Sequence, residues 1–154
     1  MSDLSSKATE LFNQGYSCSE SIVRAAVELN IINNKFDIEN LTRVASAFSG
    51  GMGESGCLCG AVAGAQIVLG YSFGRNNTET PPKIVKALSG QFIQKFKDKR
   101  NATCCRILTK GFDFHSAERR THCVSIVSDT AEILENHIKE NIHESANICC
   151  KESS

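Results

Sequence analysis

The chain has 154 residues, a length that accommodates one domain and excludes an enzyme with separate cofactor and substrate lobes. It carries 17 basic and 17 acidic side chains, so the overall charge does not favour nucleic acid or an anionic membrane as a partner. Hydrophobic residues make up 41% of the chain and aromatic residues only 6%. The core must therefore be built mainly from aliphatic side chains.

Eight cysteines exceed ordinary usage but fall short of the roughly 8–10% that marks a small secreted disulfide scaffold. The first seven residues show no basic start followed by an apolar stretch, which gives no indication of secretion. We therefore predict a cytoplasmic protein whose cysteines are reduced or bound to metal.

One uncharged stretch, between Glu54 and Arg75, approaches the length of a membrane span. Glycine, alanine, cysteine and serine fill most of it, and Gln66 lies near its middle. Membrane insertion depends on leucine, isoleucine, phenylalanine and valine. The stretch therefore predicts a glycine loop and a buried helix, without a membrane span.

The spacing of apolar residues is helical nearly everywhere, and no segment of five or more residues alternates with a period of two. This pattern predicts an all-α fold. We expect a compact single-domain bundle of about five to six helices. The bundle should occupy residues 1–144, followed by a flexible tail at 145–154.

Three helices are predicted before the glycine loop. Gly15 ends the first helix, Ser17 and Glu20 form a capping box for the second, and Asp37 caps the third. Their predicted buried residues are, in chain order, Leu4, Ala8, Leu11 and Phe12; Ile22, Val23, Ala26 and Leu29; and Ile38, Leu41, Val44, Ala45 and Phe48.

Four further elements follow the loop at 49–56. We predict a central helix over 59–71, a helix that Thr80 caps with proline at its first position, a short helix over 104–109 and a last helix over 116–141. The predicted buried residues of the two long helices are Ile84, Val85, Leu88, Phe92, Ile93 and Phe96, and then Val124, Val127, Ala131, Leu134 and Ile138.

Four cysteines fall near predicted helix starts, namely Cys18, Cys59, Cys105 and Cys123. Unpaired N–H groups there favour negative charge, so we expect the pKa of these thiols to lie below the free value of about 8.5. Neighbouring cations should act in the same direction; they are Arg106, Arg119, Arg120 and His122.

The other cysteines are Cys57, Cys104, Cys149 and Cys150. Their pattern does not favour a functional role over the ordinary role of cysteine as a small buried apolar side chain. No Cys-x-x-Cys pair is present. Cysteine ligands could therefore meet only through the tertiary fold.

The order of the cysteine motifs resembles a known family. Gly15-Tyr-Ser-Cys18-Ser is followed by Cys59-Gly-Ala-Val-Ala-Gly64-Ala, Cys105-Arg-Ile-Leu108 and Cys123-Val-Ser-Ile-Val127. This order is similar to the C_GCAxxG_C_C family and spans nearly the whole chain. The resemblance implies a redox role for Cys18, Cys59, Cys105 and Cys123. It also implies an association with transporters, and an iron–sulfur cluster of the kind implied for a related domain of split-Soret cytochromes.

Three chemistries stay open for these cysteines. Four thiolates could hold an iron–sulfur cluster, of which we favour [2Fe–2S] over [4Fe–4S], with Gly60 and Gly64 letting backbone amides approach the sulfurs. A metal-free dithiol oxidoreductase could use Cys59 for attack and Cys18 or Cys105 for resolution. A zinc or soft-metal protein could serve a transporter, with Cys149 and Cys150 as a capture site. Cys57 and Cys104 are substitute ligands in each metal hypothesis.

Charge is uneven along the chain, since residues 81–110 hold eight basic side chains and one acid. This segment could dock an acidic redox partner, whereas nucleic acid is disfavoured because Phe92 and Phe96 lie on the apolar stripe. No general acid–base pair is evident, so the sequence leaves open whether the protein is an enzyme. It also leaves a homodimer open.

Overall fold

The computed structural model describes residues 1–32 and 37–149, with side chains described as far as Ile142. In chain order its helical segments are α1 Asp3–Asn13, α2 Cys18–Glu28, α3 Ile38–Ser46, α4 Ser49–Met52, α5 Gly60–Phe73, α6 Lys83–Arg100, α7 Cys105–Leu108 and α8 Ala117–Cys149. Within α4, Gly50 and Gly51 have positive φ and are not helical in conformation. The described ranges contain no strand, and one isolated antiparallel bridge joins Leu58 to Cys104. The all-α prediction is confirmed.

Helix α2 lies at the centre of the bundle and packs on α1, α3 and α5, while α8 packs across α1, α5 and α6. Most of the predicted stripes are buried in one core, including Phe92 and Phe96, which are fully buried. The hydrophobic face of α8 extends this core through Val127, Ala131 and Leu134. Burial of aliphatic and aromatic area is the dominant favourable contribution to folding.

Three residues predicted to be buried are instead exposed: Val44 by 57%, Ile84 by 40% and Leu29 by 37%. Val44 faces solvent on α3, a helix in which only Ala45 is fully buried. Ile84 lies in the first turn of α6, before the first fully buried residue of that helix, Leu88. Leu29 is the C-cap of α2. Ile84 and Leu29 thus lie at the ends of their helices, where helical periodicity no longer decides burial.

The predicted start of α2 is confirmed and that of α6 is wrong. The hydroxyl of Ser17 accepts from the N–H of Glu20, whose carboxylate accepts from the N–H of Ser17 at 2.8 Å. Helix α6 begins at Lys83, and its N-cap is Pro82, without a side-chain cap. A residue that precedes proline is disfavoured in the helical region, so Pro81 cannot open the helix before Pro82.

The last helix is longer than predicted, since α8 continues from the expected end at Asn141 to Cys149. The predicted tail at 145–154 overlaps the helical backbone as far as Cys149, and 150–154 lie outside the described residues. Across the described ranges, no helix combines the length and apolar character needed to cross a bilayer.

A buried carboxylate on α8 anchors the start of α1. Glu135 is 5% exposed; it accepts from the Leu4 N–H at 2.8 Å and from Lys139. Burial raises the pKa of Glu135, but the hydrogen bonds from Lys139 and Leu4 outweigh this effect and leave the pKa below its usual range. This carboxylate therefore stabilises the fold at neutral pH.

We expect Glu135→Gln to lower the free energy of unfolding by about 1 kcal/mol at pH 7, because the charge-assisted part of these hydrogen bonds is lost. A carboxyl group whose pKa is lower in the folded than in the unfolded protein stabilises the fold at pH values above its unfolded pKa. This stability is lost as the pH falls through the pKa of the folded protein. The difference in the free energy of unfolding between the unmodified protein and Glu135→Gln should therefore shrink below about pH 4.

Urea unfolding at pH 7 and pH 3.5 measures this difference, with exposed Glu79→Gln as control. A difference that grew on acidification would contradict the assignment.

Candidate redox site

The four cysteines near helix starts come together around one cavity. Cys18, Cys59, Cys105 and Cys123 all line a cavity of about 390 Å³. They are separated along the sequence by between 18 and 46 residues, so the tertiary fold alone unites them. Cys57 is exposed and Cys104 half-buried, and neither belongs to the described wall of this cavity.

Three helix starts and one helix interior supply the thiols. Cys18 is the first residue of α2, Cys59 the N-cap of α5 and Cys105 the first residue of α7. Cys123 lies in the second turn of α8. The four segments belong to different parts of the chain, so each thiol reaches the cavity from its own direction.

A short antiparallel contact joins the segments that carry Cys59 and Cys105. The N–H of Cys59 donates to the carbonyl of Thr103, and the N–H of Cys105 donates to that of Cys57, both at 2.7 Å. The isolated bridge between Leu58 and Cys104 lies between these hydrogen bonds. This pairing holds the starts of α5 and α7 side by side and fixes two of the four thiols relative to each other.

Gly60 and Gly64, the two glycines of the Cys-Gly-Ala-x-x-Gly motif in the central helix, have different surroundings. A Cβ on Gly60 would lie 2.3 Å from the Cys18 sulfur, whereas one on Gly64 would lie 2.8 Å from the carbonyl oxygen of Ser19. Gly60 thus belongs to the cavity wall and makes room for a thiol. Gly64 is placed at the close contact of α2 with α5 and is not among the residues that line the cavity, so its observed contacts are those of helix packing.

The glycine loop before α5 is a left-handed turn. Residues 50–54 all have φ between +61° and +75°, including the non-glycine residues Met52 and Glu54. A Cβ on Gly51 would lie 2.7 Å from the Cβ of Cys105, and the backbone N–H of Gly50 donates to the Cys18 thiol. The conformation costs free energy at the non-glycine positions. It brings the loop backbone against two of the four cysteines.

The expected lowering of the thiol pKa values is wrong for three of the cysteines. Burial raises the pKa of Cys18, raises that of Cys59 to about 12 and raises that of Cys123 to about 11. The N–H groups of Ala61 and Val62 act in the opposite direction on the pKa of Cys59, and Arg119 does so on that of Cys123. Loss of hydration outweighs both effects, because removing a thiolate from water costs more free energy than a helix N-terminus or a nearby arginine contributes.

Arg119 is the cation that reaches a thiol in the described part of the chain. Its Nη2 donates to the Cys105 sulfur at 3.1 Å, its Nη1 donates to the Phe114 carbonyl at 3.0 Å, and its guanidinium lies 4.0 Å from the centre of the Phe114 ring. Proximity in the sequence predicts that Arg119 lies beside Cys123. No sequence signal pairs it with a cysteine fourteen residues away.

The other three cations expected near the cysteines make different contacts. Arg120 donates to the carbonyls of Phe12 and Tyr16, and its guanidinium lies over the Phe12 ring. A ring nitrogen of His122 lies 2.8 Å from the Leu108 carbonyl, and Arg106 donates to the Ser55 carbonyl. These contacts tie backbone segments around the cavity together.

Within the residues described, no group of three or more histidine, cysteine, aspartate and glutamate side chains is arranged to hold a metal ion. A Cys₄ zinc site needs four sulfurs at about 2.3 Å from one ion, and the described cysteines are not arranged in this way. Four thiols are nevertheless the donor set that iron–sulfur clusters use. The residues present fit such a cluster in chemical kind and in their shared cavity.

The basic segment at 81–110 is partly neutralised by α8. Lys95 pairs with Glu140, while Lys99 and Arg100 both pair with Asp129. Lys83, Lys86 and Lys97 on α6 are exposed. The predicted acidic partner therefore has fewer available cations on this helix than the sequence suggested, and its docking there stays a prediction.

The protein is therefore a small helical protein in which four cysteines line one cavity. A family model described as "Putative redox-active protein (C_GCAxxG_C_C)" matches residues 16–137, and the chain belongs to this family. The matched range contains all four cavity cysteines.

A relative from Archaeoglobus fulgidus (strain ATCC 49558 / DSM 4304 / JCM 9628 / NBRC 100126 / VC-16), described as an uncharacterized protein, is 30% identical over 143 residues. The match covers 87% of this chain and 92% of the relative. No solved structure matches the chain. The comparisons therefore support the redox character of the family and do not specify a cofactor.

Proposed function

We propose that the protein holds an iron–sulfur cluster on Cys18, Cys59, Cys105 and Cys123 and serves in electron transfer or redox sensing. The observation that carries the proposal is the convergence of these four thiols on one cavity. Membership of a family described by its redox activity points in the same direction. When bound, such a cluster supplies reversible one-electron chemistry.

The chain's own groups have separable roles in this proposal. The four sulfurs are the ligands, and N–H groups directed at two of them come from Gly50, Ala61 and Val62. Arg119 donates to the sulfur of Cys105. Hydrogen bonds to ligand sulfurs and exclusion of water both tune a reduction potential. We retain [2Fe–2S] as the favoured form.

Anaerobic purification tests the proposal directly. We expect brown protein with charge-transfer absorption in the visible range and with iron and acid-labile sulfide in similar amounts. Zinc and sulfide are measured on the same sample. Colourless protein that contains stoichiometric zinc would instead support the zinc alternative, and protein that takes up neither metal after anaerobic reconstitution would contradict both metal-binding proposals.

A metal-free dithiol function is a second candidate, favoured by the contact of Arg119 with Cys105. The sequence suggested Cys59 as the attacking thiol, but burial raises the pKa of Cys59 to about 12. We therefore assign the attack to the Cys105 thiolate, which forms a mixed disulfide with the substrate while one substrate thiolate leaves and takes up a proton. A second cavity thiol then attacks the Cys105 sulfur and releases the other substrate thiol. Two protein thiols are oxidised and one substrate disulfide is reduced.

A thiol count distinguishes this second candidate. Anaerobically purified protein treated with a mild disulfide oxidant should lose two thiols reversibly, and a reductant should restore both. Mass spectrometry of the oxidised protein should place the new disulfide between two of the four cavity cysteines. If all thiols stayed free under the oxidant, the dithiol function would be rejected.

A further inference from the structure

A second cavity adjoins the redox site at Cys105. It measures about 300 Å³ and is bounded by the glycine loop at 54–56 and by the segment at 105–112. Cys105, Phe114 and Arg119 line both cavities. Cys105 therefore borders both cavities, and none of the other described cysteines lines the second one.

The charged groups in the wall of this second cavity are mainly cationic. They are Arg106, Lys110 and Arg119 against one carboxylate, Glu54. The Oε2 of Glu54 also lies 4.0 Å from a ring nitrogen of His115, which offsets it whenever the imidazole is protonated. Because a cleft lined by one sign of charge raises the local concentration of ions of the opposite sign, this cavity favours anions.

Hydrogen-bonding capacity in the wall is partly unused. The Nε of Arg119 is buried and has no hydrogen-bond partner in the described structure. Arg106 uses Nη2 for the Ser55 carbonyl, at 2.8 Å, and Lys110 is exposed. Phe112 and Phe114 supply apolar wall. A volume of this size is at the lower end for small-molecule sites.

We propose that the second cavity binds a small anionic disulfide and presents its sulfur to Cys105. The proposal rests on the metal-free dithiol candidate, in which the Cys105 thiol carries no metal. With a disulfide, the substrate S–S bond breaks, a bond forms between the Cys105 sulfur and one half of the substrate, and the other half leaves as a thiolate that takes up a proton. The disulfide is itself the oxidant, so the step needs no further reactant.

Three small disulfides of similar size but different charge test the proposal on the full-length protein in its reduced, metal-free form. They are dithiodiglycolate, which is anionic, hydroxyethyl disulfide, which is neutral, and cystamine, which is cationic. The rate of adduct formation on Cys105 is measured by mass spectrometry of the tryptic peptide that contains it, which is 101–106 when Arg106 is present and 101–119 when Arg106 and Lys110 are both replaced. The Cys104→Ser background leaves one thiol in this peptide, and each rate is divided by that of free cysteine.

We expect the anionic disulfide to react about tenfold faster than the cationic one, with a preference that weakens in high salt. Lys110→Gln should reduce the ratio severalfold, and Arg106→Gln with Lys110→Gln should bring it close to one. Lys86→Gln on α6 is the matched control and should leave it unchanged. The single Lys110 variant provides the test if loss of the Arg106–Ser55 contact disturbs the fold.

Equal normalised rates for the three disulfides would overturn the proposal, as would a preference that persists without Arg106 and Lys110, or no adduct on Cys105 with any reagent. The readout is a covalent adduct on one peptide of the metal-free protein, so neither assembly of a cluster nor failure to assemble one affects it. Conversely, loss of anion selectivity would leave the cluster proposal standing. The two failures are thus distinguishable.

Discussion

Replacing any one of the four cavity cysteines with serine is expected to lower bound iron by tenfold or more. Removing a group that only orients a metal ligand already costs roughly 10–100-fold in affinity, and removing a ligand should cost at least as much. The variants are Cys18→Ser, Cys59→Ser, Cys105→Ser and Cys123→Ser. Iron and sulfide are measured after anaerobic reconstitution and gel filtration, with far-UV circular dichroism as the check on folding.

The chain offers two matched controls for this series. Cys57 and Cys104 are the immediate neighbours of cavity cysteines but are not part of the described cavity wall. Cys57→Ser and Cys104→Ser should therefore retain iron and the visible spectrum of the unmodified protein. If Cys57→Ser removed the cluster while Cys59→Ser kept it, the ligand assignment at the start of α5 would be wrong.

Gly60→Ala is expected to destabilise the protein by about 2 kcal/mol, as overpacking of a well-packed interior commonly does. The new Cβ would lie 2.3 Å from the Cys18 sulfur and 3.0 Å from the Phe48 carbonyl oxygen, so backbone as well as side chain must move. The displaced Cys18 sulfur should also lower iron loading. Urea unfolding and iron analysis measure the two effects separately.

Gly70→Ala is the matched control because Gly70 lies in the same helix, α5, and an added Cβ there meets nothing within 4 Å. Alanine in an open helical position should stabilise the protein by about 0.5–1 kcal/mol. The two variants are therefore expected to change stability in opposite directions. Equal effects of both substitutions on the free energy of unfolding would show that Gly60 does not define the close approach to Cys18.

These cysteine and glycine variants address different aspects of one arrangement. The serine series removes donors while the helices stay packed, whereas Gly60→Ala keeps every thiol and moves one of them. A protein that loses iron in the first series and stability in the second would have a site built by the packing of α2 against α5. The left-handed loop completes this arrangement, since the Gly50 N–H and the Gly51 backbone lie against Cys18 and Cys105.

Local sequence determined the features that depend on a few neighbouring residues. The helical period placed Leu4, Ala8 and Phe92 in the core, and the capping box of Ser17 and Glu20 located the start of α2. The glycine run at 50–56 predicted a loop, which the structure shows as a left-handed turn. Because such signals depend on backbone geometry within one or two turns, they can be derived from the chain alone.

Tertiary structure decided the properties of the site. The positions of the cysteines at helix starts were predictable, but the sign of their pKa shifts was not, since burial by remote segments outweighs the helix terminus. The contact of Arg119 with Cys105 and the assignment of Gly64 to helix packing depend equally on neighbours distant in sequence. Hydration and long-range contacts are set only when the helices pack, so the sequence determined which residues carry the chemistry and the fold decided their environment.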